Sequence, residues 1–169
     1  IVFDMEAVNE TSKIEKIIKL TLITIVGTIL ITISAKIKIP FYPVPMTMQT
    51  FVILLIGITF GYKIGLATVT LYLFEGIIGL PVFANSPEKG IGIAYFIGPT
   101  MGYLVGFLVA VYFAGLFKYD KGIINTFLKL IFSVSCIYIL GMIWLGILIG
   151  WDKPIFKHGV QPFLLAELF

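Results

Sequence analysis

The chain has 169 residues, of which 59% are hydrophobic and only 12% are charged, and its mean hydropathy is +1.08. A soluble domain usually has roughly 45–50% apolar and about 25% charged residues, so this chain lacks the polar side chains that a water-exposed surface requires. Its net charge is +3, and its basic residues are lysines, with no arginine. Without arginine it has no bidentate donor for phosphate or guanine edges. The composition predicts an integral membrane protein and argues against nucleic-acid binding.

Six apolar runs recur along the chain, and a bilayer core of roughly 30 Å requires about 20 helical residues to cross it. The runs lack the alternating pattern of barrel strands, so we predict an all-α membrane protein, a bundle of six transmembrane helices. A polar N-terminal tail, residues 1–15, precedes a single membrane-embedded domain, residues 16–169. The predicted spans are residues 16–35, 50–62, 64–80, 96–117, 122–150 and 160–169.

The second and third runs are short, and only the segment Gly61, Tyr62, Lys63 divides them. This spacing leaves no room for a long loop and predicts a tight helical hairpin. The sixth run stops within an apolar pattern, and the chain begins with Ile1 rather than methionine. We therefore expect a fragment of a longer chain, with its last helix truncated.

Small residues recur every four positions in two of the predicted helices. The fourth helix carries Gly98, Gly102, Gly106, Ala110 and Ala114. These residues form a flat ridge that another helix can approach closely, and we interpret the ridge as packing inside the chain. The first helix carries Thr24, Thr28 and Thr32, with Gly27 beside them. This second face either packs inside the bundle or contacts another subunit.

Charged side chains inside the apolar runs mark candidate functional positions, because a charge near the bilayer centre costs about 2.5–3.5 kcal/mol. Glu75 lies in the third predicted helix and Glu167 in the sixth. Glu167 is the candidate ligand-binding acid. Glu75 is either a second ligand-binding acid or a hydrogen-bonded carboxyl that caps the following loop. Lys129 lies near the start of the fifth helix and can extend its ammonium to the interface.

Two connections between the predicted helices have an unusual composition. Residues 81–92 form a long loop that is rich in turn-forming residues, and such a loop can act as a lid. Residues 39–45 contain three prolines. These prolines preclude an ordinary helix and favour an extended segment that can wall one side of a cavity.

The sequence contains no phosphate-binding loop of the G-x-x-x-x-G-K-[ST] type, so we expect another protein to hydrolyse nucleotide for any active process. His158 is the one histidine and Cys136 the one cysteine. This leaves too few ligands for a metal site and little prospect of a histidine base for a nucleophile. We predict no metal site and no catalytic residue.

Five motifs, in order along the chain, closely resemble the BioY family: PVPMTMQT at residues 43–50, GLPVFA at 79–84, GPTMGYL at 98–104, IYILGMIWL at 137–145 and GVQPF at 159–163. Members of that family are the substrate-binding S components of energy-coupling-factor (ECF) biotin transporters. The resemblance implies six helices, cytoplasmic termini and capture of biotin from outside, with a transmembrane coupling protein and two ATPases as partners. A cytoplasmic N-terminus also places six lysines inside and five outside, the direction that the positive-inside rule favours.

The resemblance also indicates positions for the binding site. Glu167 occupies the place of an acid in the family's last helix, and the lysine expected three residues later falls beyond the end of the chain. Asn85 matches an asparagine that some members use, although residues 86–89 look like an insertion. Leu104 stands where some members have arginine, so that contact is not carried over. The donor for the biotin carboxylate is then either Lys89 or that lysine.

Biotin combines a ureido ring, an apolar thioether ring and an anionic tail. Glu167 can accept hydrogen bonds from the ureido N–H groups, and Asn85 or Gln49 can bind the ureido carbonyl. Tyr103 or Phe83 can cover the apolar ring.

Three hypotheses remain open from the sequence. The first is a biotin-binding transport subunit, in which Thr24, Thr28 and Thr32 contact the coupling protein. The second is an S component for a different vitamin. The third is an intramembrane enzyme that uses Glu75 and Glu167 as an acid–base pair.

Overall fold

The computed structural model describes residues 5–39, 44–119 and 122–164, with side chains described from residue 12 onward except at positions 162 and 164. The described part consists of helices and one short antiparallel strand pair, which confirms the prediction of an all-α protein. The elements are α1 (Met5–Lys36), β1 (Lys38–Ile39), β2 (Met46–Thr47), α2 (Gln49–Ile77), α3 (Gly92–Phe96), α4 (Met101–Leu116), α5 (Ile123–Ile149), α6 (Ile155–Gly159) and α7 (Gln161–Leu164).

Helix α2 is a hairpin of two arms, residues 49–60 and 62–77, because Gly61 between them is not helical (φ 77°, ψ 169°). The Gln49 Nε2 atom donates a 2.8 Å hydrogen bond to the Tyr72 hydroxyl. In a straight helix these residues would lie roughly 35 Å apart, since each residue adds about 1.5 Å. A Cβ built on Gly65 would lie 3.6 Å from the Gly57 Cα atom. The predicted hairpin is therefore confirmed, with glycines where its arms meet.

Three helical ranges are long and apolar enough to cross a membrane, namely Ser12–Lys36, Gln49–Ile77 and Ile123–Ile149, and α4 is a shorter apolar helix. When the two arms of α2 are counted separately, and α6 with α7 is taken as the start of the last segment, the chain is the predicted six-helix bundle. Many large apolar side chains remain exposed on these helices, as expected for a surface in contact with lipid.

The helix boundaries differ from the prediction at two places. Helix α1 begins at Met5, so the predicted polar tail is helical over most of its length, and its glutamates, lysine and alanine are good helix formers. The predicted span 96–117 is interrupted between α3 and α4. Pro99 has no N–H group and disfavours helical geometry at Gly98. The carbonyl of the half-buried Gly98 accepts hydrogen bonds from Trp144 Nε1 at 2.8 Å and from the Met101 N–H at 3.1 Å.

Helix α4 packs between α2 and α5. A Cβ built on Gly106 would lie 2.7 Å from the Ile137 Cα atom, and one built on Gly102 would collide with the α5 backbone. On the α2 side, a Cβ built on Gly57 would lie 3.1 Å from the Ala114 Cβ atom. The predicted packing of this small-residue ridge inside the chain is confirmed for these residues.

Lys129 donates to the Lys118 carbonyl, as expected of a side chain that extends to the interface.

The order of the helices brings three connections to one end of the bundle. The chain reaches this end after α1, returns to it after the second arm of α2, and reaches it again after α5. Contacts across the end include the hydrogen bonds from Lys36 to the Phe83 carbonyl and from Tyr103 to the Gly159 carbonyl. The N-terminus of α1 lies at the opposite end.

Candidate functional site

A cavity of about 620 Å³ lies at the end of the bundle where these connections meet. Its wall is formed by the strand pair, the start of α2, the loop after α2, and parts of α3, α4, α5 and α7. The aromatic side chains on the wall are Phe51, Phe83, Tyr95, Tyr103, Phe107, Tyr138 and Phe163, and the polar ones include Lys38, Thr47, Gln49 and Thr100. Such a mainly apolar cavity with few polar groups is typical of a small-molecule site.

Phe83 is fixed in the wall by its neighbours. Its side chain is 1% exposed, stacks on Tyr95 with ring centroids 5.2 Å apart, and meets Tyr72 edge to face at 5.6 Å. Any Cβ on Gly76 would collide with the Phe83 ring, so a glycine at this point of α2 allows the loop to pack closely. The structure thus places Phe83 on the cavity wall, where a ring to cover an apolar ligand was predicted.

Tyr103 connects α4 to the last part of the chain. Its hydroxyl donates a 2.8 Å hydrogen bond to the Gly159 carbonyl. Its ring occupies space that a side chain at Gly141 would fill, its hydroxyl does the same at Gly159, and its ring lies 6.2 Å from that of Phe163. Tyr103 lines the cavity, and its role in covering an apolar ring of a ligand stays a prediction.

Gln49 places an amide group on the same wall. It is 3% exposed, its Nε2 donates to the Tyr72 hydroxyl at 2.8 Å, and its Oε1 accepts from Thr47 Oγ1 at 3.1 Å. The Tyr72 hydroxyl in turn donates to the Val82 carbonyl at 3.2 Å. An amide has two N–H donors and two acceptor lone pairs. One N–H donor and one lone pair of the Gln49 amide therefore have no partner among the described residues.

Lys38 is a wall residue that the sequence analysis did not single out. Its Nζ donates to the Ala84 carbonyl at 2.8 Å and to Asn85 Oδ1 at 3.0 Å, and it lies 3.9 Å from Glu88 Oε2. The Nζ of Lys36 donates to the Phe83 and Ser86 carbonyls, both at 2.7 Å. We call residues 82–88 the lysine-bound loop. The sequence feature that could have pointed to Lys38 is the spacing of Lys36 and Lys38. Residues two positions apart share one face of an extended segment, and an extended segment is predicted to follow them.

Asn85 has a different position from the one predicted. Its side chain is not among those that line the cavity, and its Oδ1 accepts from Lys38 instead. Its backbone N–H donates to the Tyr95 hydroxyl at 3.1 Å, and burial raises the pKa of Tyr95. Asn85 therefore supports Lys38 and the lysine-bound loop from behind the wall.

Glu75 and the threonine face of α1 lie away from the cavity. Thr28 is 2% exposed and donates to Glu75 Oε1 at 3.2 Å, so Thr28 packs against α2 inside the bundle. This geometry does not support contact of Thr28 with another subunit. Thr24 and Thr32 are half-buried and donate to the Leu20 and Thr28 carbonyls of their own helix. Glu167 lies outside the described residues.

Comparison with known proteins gives a consistent result. The family model described as "BioY family" matches residues 7–169. A "Probable biotin transporter BioY" from Pyrococcus horikoshii is 34% identical over 82% of this chain and 81% of its own length. A "Biotin transporter BioY" from Thermotoga maritima is 36% identical over 83% of this chain and 82% of its own length.

A solved structure has the same fold. It is titled "Crystal structure at 2.1 A of the S-component for biotin from an ECF-type ABC transporter". The likeness covers 90% of this chain and 84% of that one, with a TM-score of 0.73 and 24% sequence identity. At that identity the likeness shows the fold, whereas the family follows from the match over nearly the whole sequence. The chain belongs to the BioY family.

Proposed function

We propose that this chain is the biotin-binding S component of an ECF-type importer in the cell membrane, and that it acts as a binding subunit and not as an enzyme. The observation that carries the proposal is the cavity, whose described wall residues include aromatic rings, an amide and an ammonium group. These three kinds of group match the apolar ring, the ureido group and the carboxylate of biotin. Relatives of this chain carry the name biotin transporter.

The proposed binding mode assigns each part of biotin to a part of the wall. Phe83 and Tyr103 pack against the thioether ring and the aliphatic chain. The remaining donor and acceptor of Gln49 bind the ureido group. Glu167, which lies outside the described residues, is the proposed acceptor for the ureido N–H groups. Asn85 acts indirectly, through its hydrogen bond to Lys38.

The enzyme hypothesis lacks support from the geometry. Glu75 accepts a hydrogen bond from Thr28 between α1 and α2 and does not line the cavity. An acid–base pair of Glu75 and Glu167 would require Glu75 to face the cavity, and it does not. A different vitamin as ligand is the remaining alternative, and competition experiments address it directly.

We expect the purified full-length protein to bind labelled biotin in detergent at micromolar or lower concentration without nucleotide, because the cavity is preformed and the sequence lacks a phosphate-binding loop. Equilibrium dialysis measures the binding, with a panel of unlabelled vitamins as competitors. Biotin should compete at the lowest concentration. Absence of biotin binding would contradict the proposal, and stronger competition by another vitamin would assign the site to that vitamin.

The proposed orientation places both termini in the cytoplasm. Since the N-terminus of α1 and the cavity lie at opposite ends of the bundle, this orientation opens the binding site to the outside, as capture from the medium requires. A transmembrane coupling protein and two ATPases would supply the energy from nucleotide hydrolysis. The half-buried Thr24 and Thr32 on α1 remain the proposed contacts with the coupling protein.

We expect Thr24→Trp to reduce co-purification of the coupling protein several-fold and to leave biotin binding unchanged, because a large ring prevents close approach of a partner helix. Thr70→Trp, at an exposed position of α2, is the matched control and should change neither quantity. Co-purification from membranes measures assembly, and dialysis measures binding. Equal assembly of the Thr24 variant and wild type would remove Thr24 from the interface.

A further inference from the structure

We propose that Lys38 is the residue that binds the ligand's carboxylate, and that this contact connects the ligand to the lysine-bound loop. The inference rests on the proposed function and adds a specific residue to it. No comparison assigns a role to Lys38.

Charge is the first argument. Among the described residues that line the cavity, Lys38 is the one that carries a charge. An anion that enters a mainly apolar cavity loses hydration and requires a counter-charge close by. Lys38 supplies this charge from the rim, where its side chain is 25% exposed.

The present partners of the ammonium are the second argument. Two of its three N–H groups donate to neutral acceptors, the Ala84 carbonyl and Asn85 Oδ1. Among the described residues its anionic neighbour is Glu88, at 3.9 Å with a side chain that is 68% exposed. This distance exceeds that of a charge-assisted hydrogen bond, and a solvated ion pair contributes little. A ligand carboxylate can therefore approach Lys38 from the cavity and take over the role of Glu88.

The third argument is the position of Lys38 between the cavity and the loop. The acceptors of Lys38 and Lys36 are all in the lysine-bound loop, which also carries Phe83. Lys38 lines the cavity, whereas Lys36 does not. The two lysines thus share the task of holding the loop, and Lys38 alone is placed to bind the ligand as well. This difference makes Lys36 a matched control.

The experiment compares biotin with biotinamide, which has the same rings but an uncharged tail. Affinities of both for wild type, Lys38→Met and Lys36→Met are measured by equilibrium dialysis, and thermal unfolding reports the fold of each variant. Wild type should bind biotin roughly ten-fold to one hundred-fold more tightly than biotinamide, as expected for a hydrogen bond to a charged group. Lys38→Met should reduce this ratio to about one, because it removes the charge that distinguishes biotin from biotinamide, whatever effect the loss of its loop contacts has on both ligands. Lys36→Met should weaken both ligands equally and preserve the ratio.

Each other outcome has a definite meaning. Equal binding of both ligands by wild type, or a ratio that Lys38→Met preserves, would overturn the inference and leave the proposed function intact. Failure of wild type to bind either ligand would contradict the proposed function itself. If Lys38→Met disturbs the loop and binds neither ligand, Lys38→Gln takes its place, because glutamine keeps a donor for the Ala84 carbonyl. The ratio of the two affinities is then measured on that variant, and the expected value is again about one.

Discussion

Replacing Gln49 with leucine should lower the affinity for biotin by roughly thirty-fold, since two hydrogen bonds to the ligand are lost and each contributes about 1 kcal/mol. The loss has a second cause. Leucine also removes the hydrogen bonds that the Gln49 amide makes with the Tyr72 and Thr47 hydroxyls, which help to fix this part of the wall. Dialysis with labelled biotin measures the affinity.

Tyr72→Phe is the matched control for Gln49→Leu. Tyr72 bonds to Gln49 but does not line the cavity. Its loss should therefore weaken biotin binding less than ten-fold, through looser positioning of the amide. An affinity of Gln49→Leu within two-fold of wild type would show that the amide does not contact the ligand.

Much of this site could be predicted because its residues lie within short sequence motifs. Gln49, Phe83 and Tyr103 come from three separate motifs, and the structure brings all three to one cavity wall. The hairpin of α2 was also predictable, since apolar runs that are too short for separate spans with long loops must fold back on each other. In the hairpin, the residues that decide the geometry lie close together in the sequence.

Other features depend on contacts between distant segments and could not be predicted. Thr24, Thr28 and Thr32 share a four-residue spacing, which defines a face of α1 but not the neighbour that covers it. In a membrane helix the lipid-facing and buried sides are both apolar, so hydrophobicity does not distinguish them. The hydrogen bond from Thr28 to Glu75, across 47 positions in the sequence, shows that Thr28 faces inward.

The role of Lys38 was missed for a related reason. A lysine next to a helix end is normally interpreted as a solvated interfacial charge. Its partners, Ala84 and Asn85, lie 46 and 47 positions later in the sequence. The same long-range contact explains the position of Asn85, which the motif placed at the ligand and the structure places behind Lys38. Local patterns identify candidate residues, whereas tertiary contacts decide which of them reach the cavity.

The packing of α4 on α5 makes Gly106 a position at which an added side chain should damage the fold. A Cβ there would lie 2.7 Å from the Cα atom of Ile137, so the backbone of α5 has to move. We expect Gly106→Leu to lower the thermal unfolding midpoint by roughly 5 °C or more, because overpacking costs about 1–3 kcal/mol or more. Since Ile137 and Tyr138 line the cavity, we also expect biotin binding to be lost.

Thr70→Leu adds a leucine of the same size on an exposed surface of α2 and is the control for Gly106→Leu. Because nothing has to move at Thr70, its midpoint and its biotin affinity should match those of wild type. Thermal unfolding in detergent and dialysis on the same samples separate a general effect of leucine from the specific displacement of α5. A Gly106→Leu protein with an unchanged midpoint and unchanged affinity would show that α4 and α5 do not pack at this glycine. The position of the cavity wall formed by α5 would then be wrong as well.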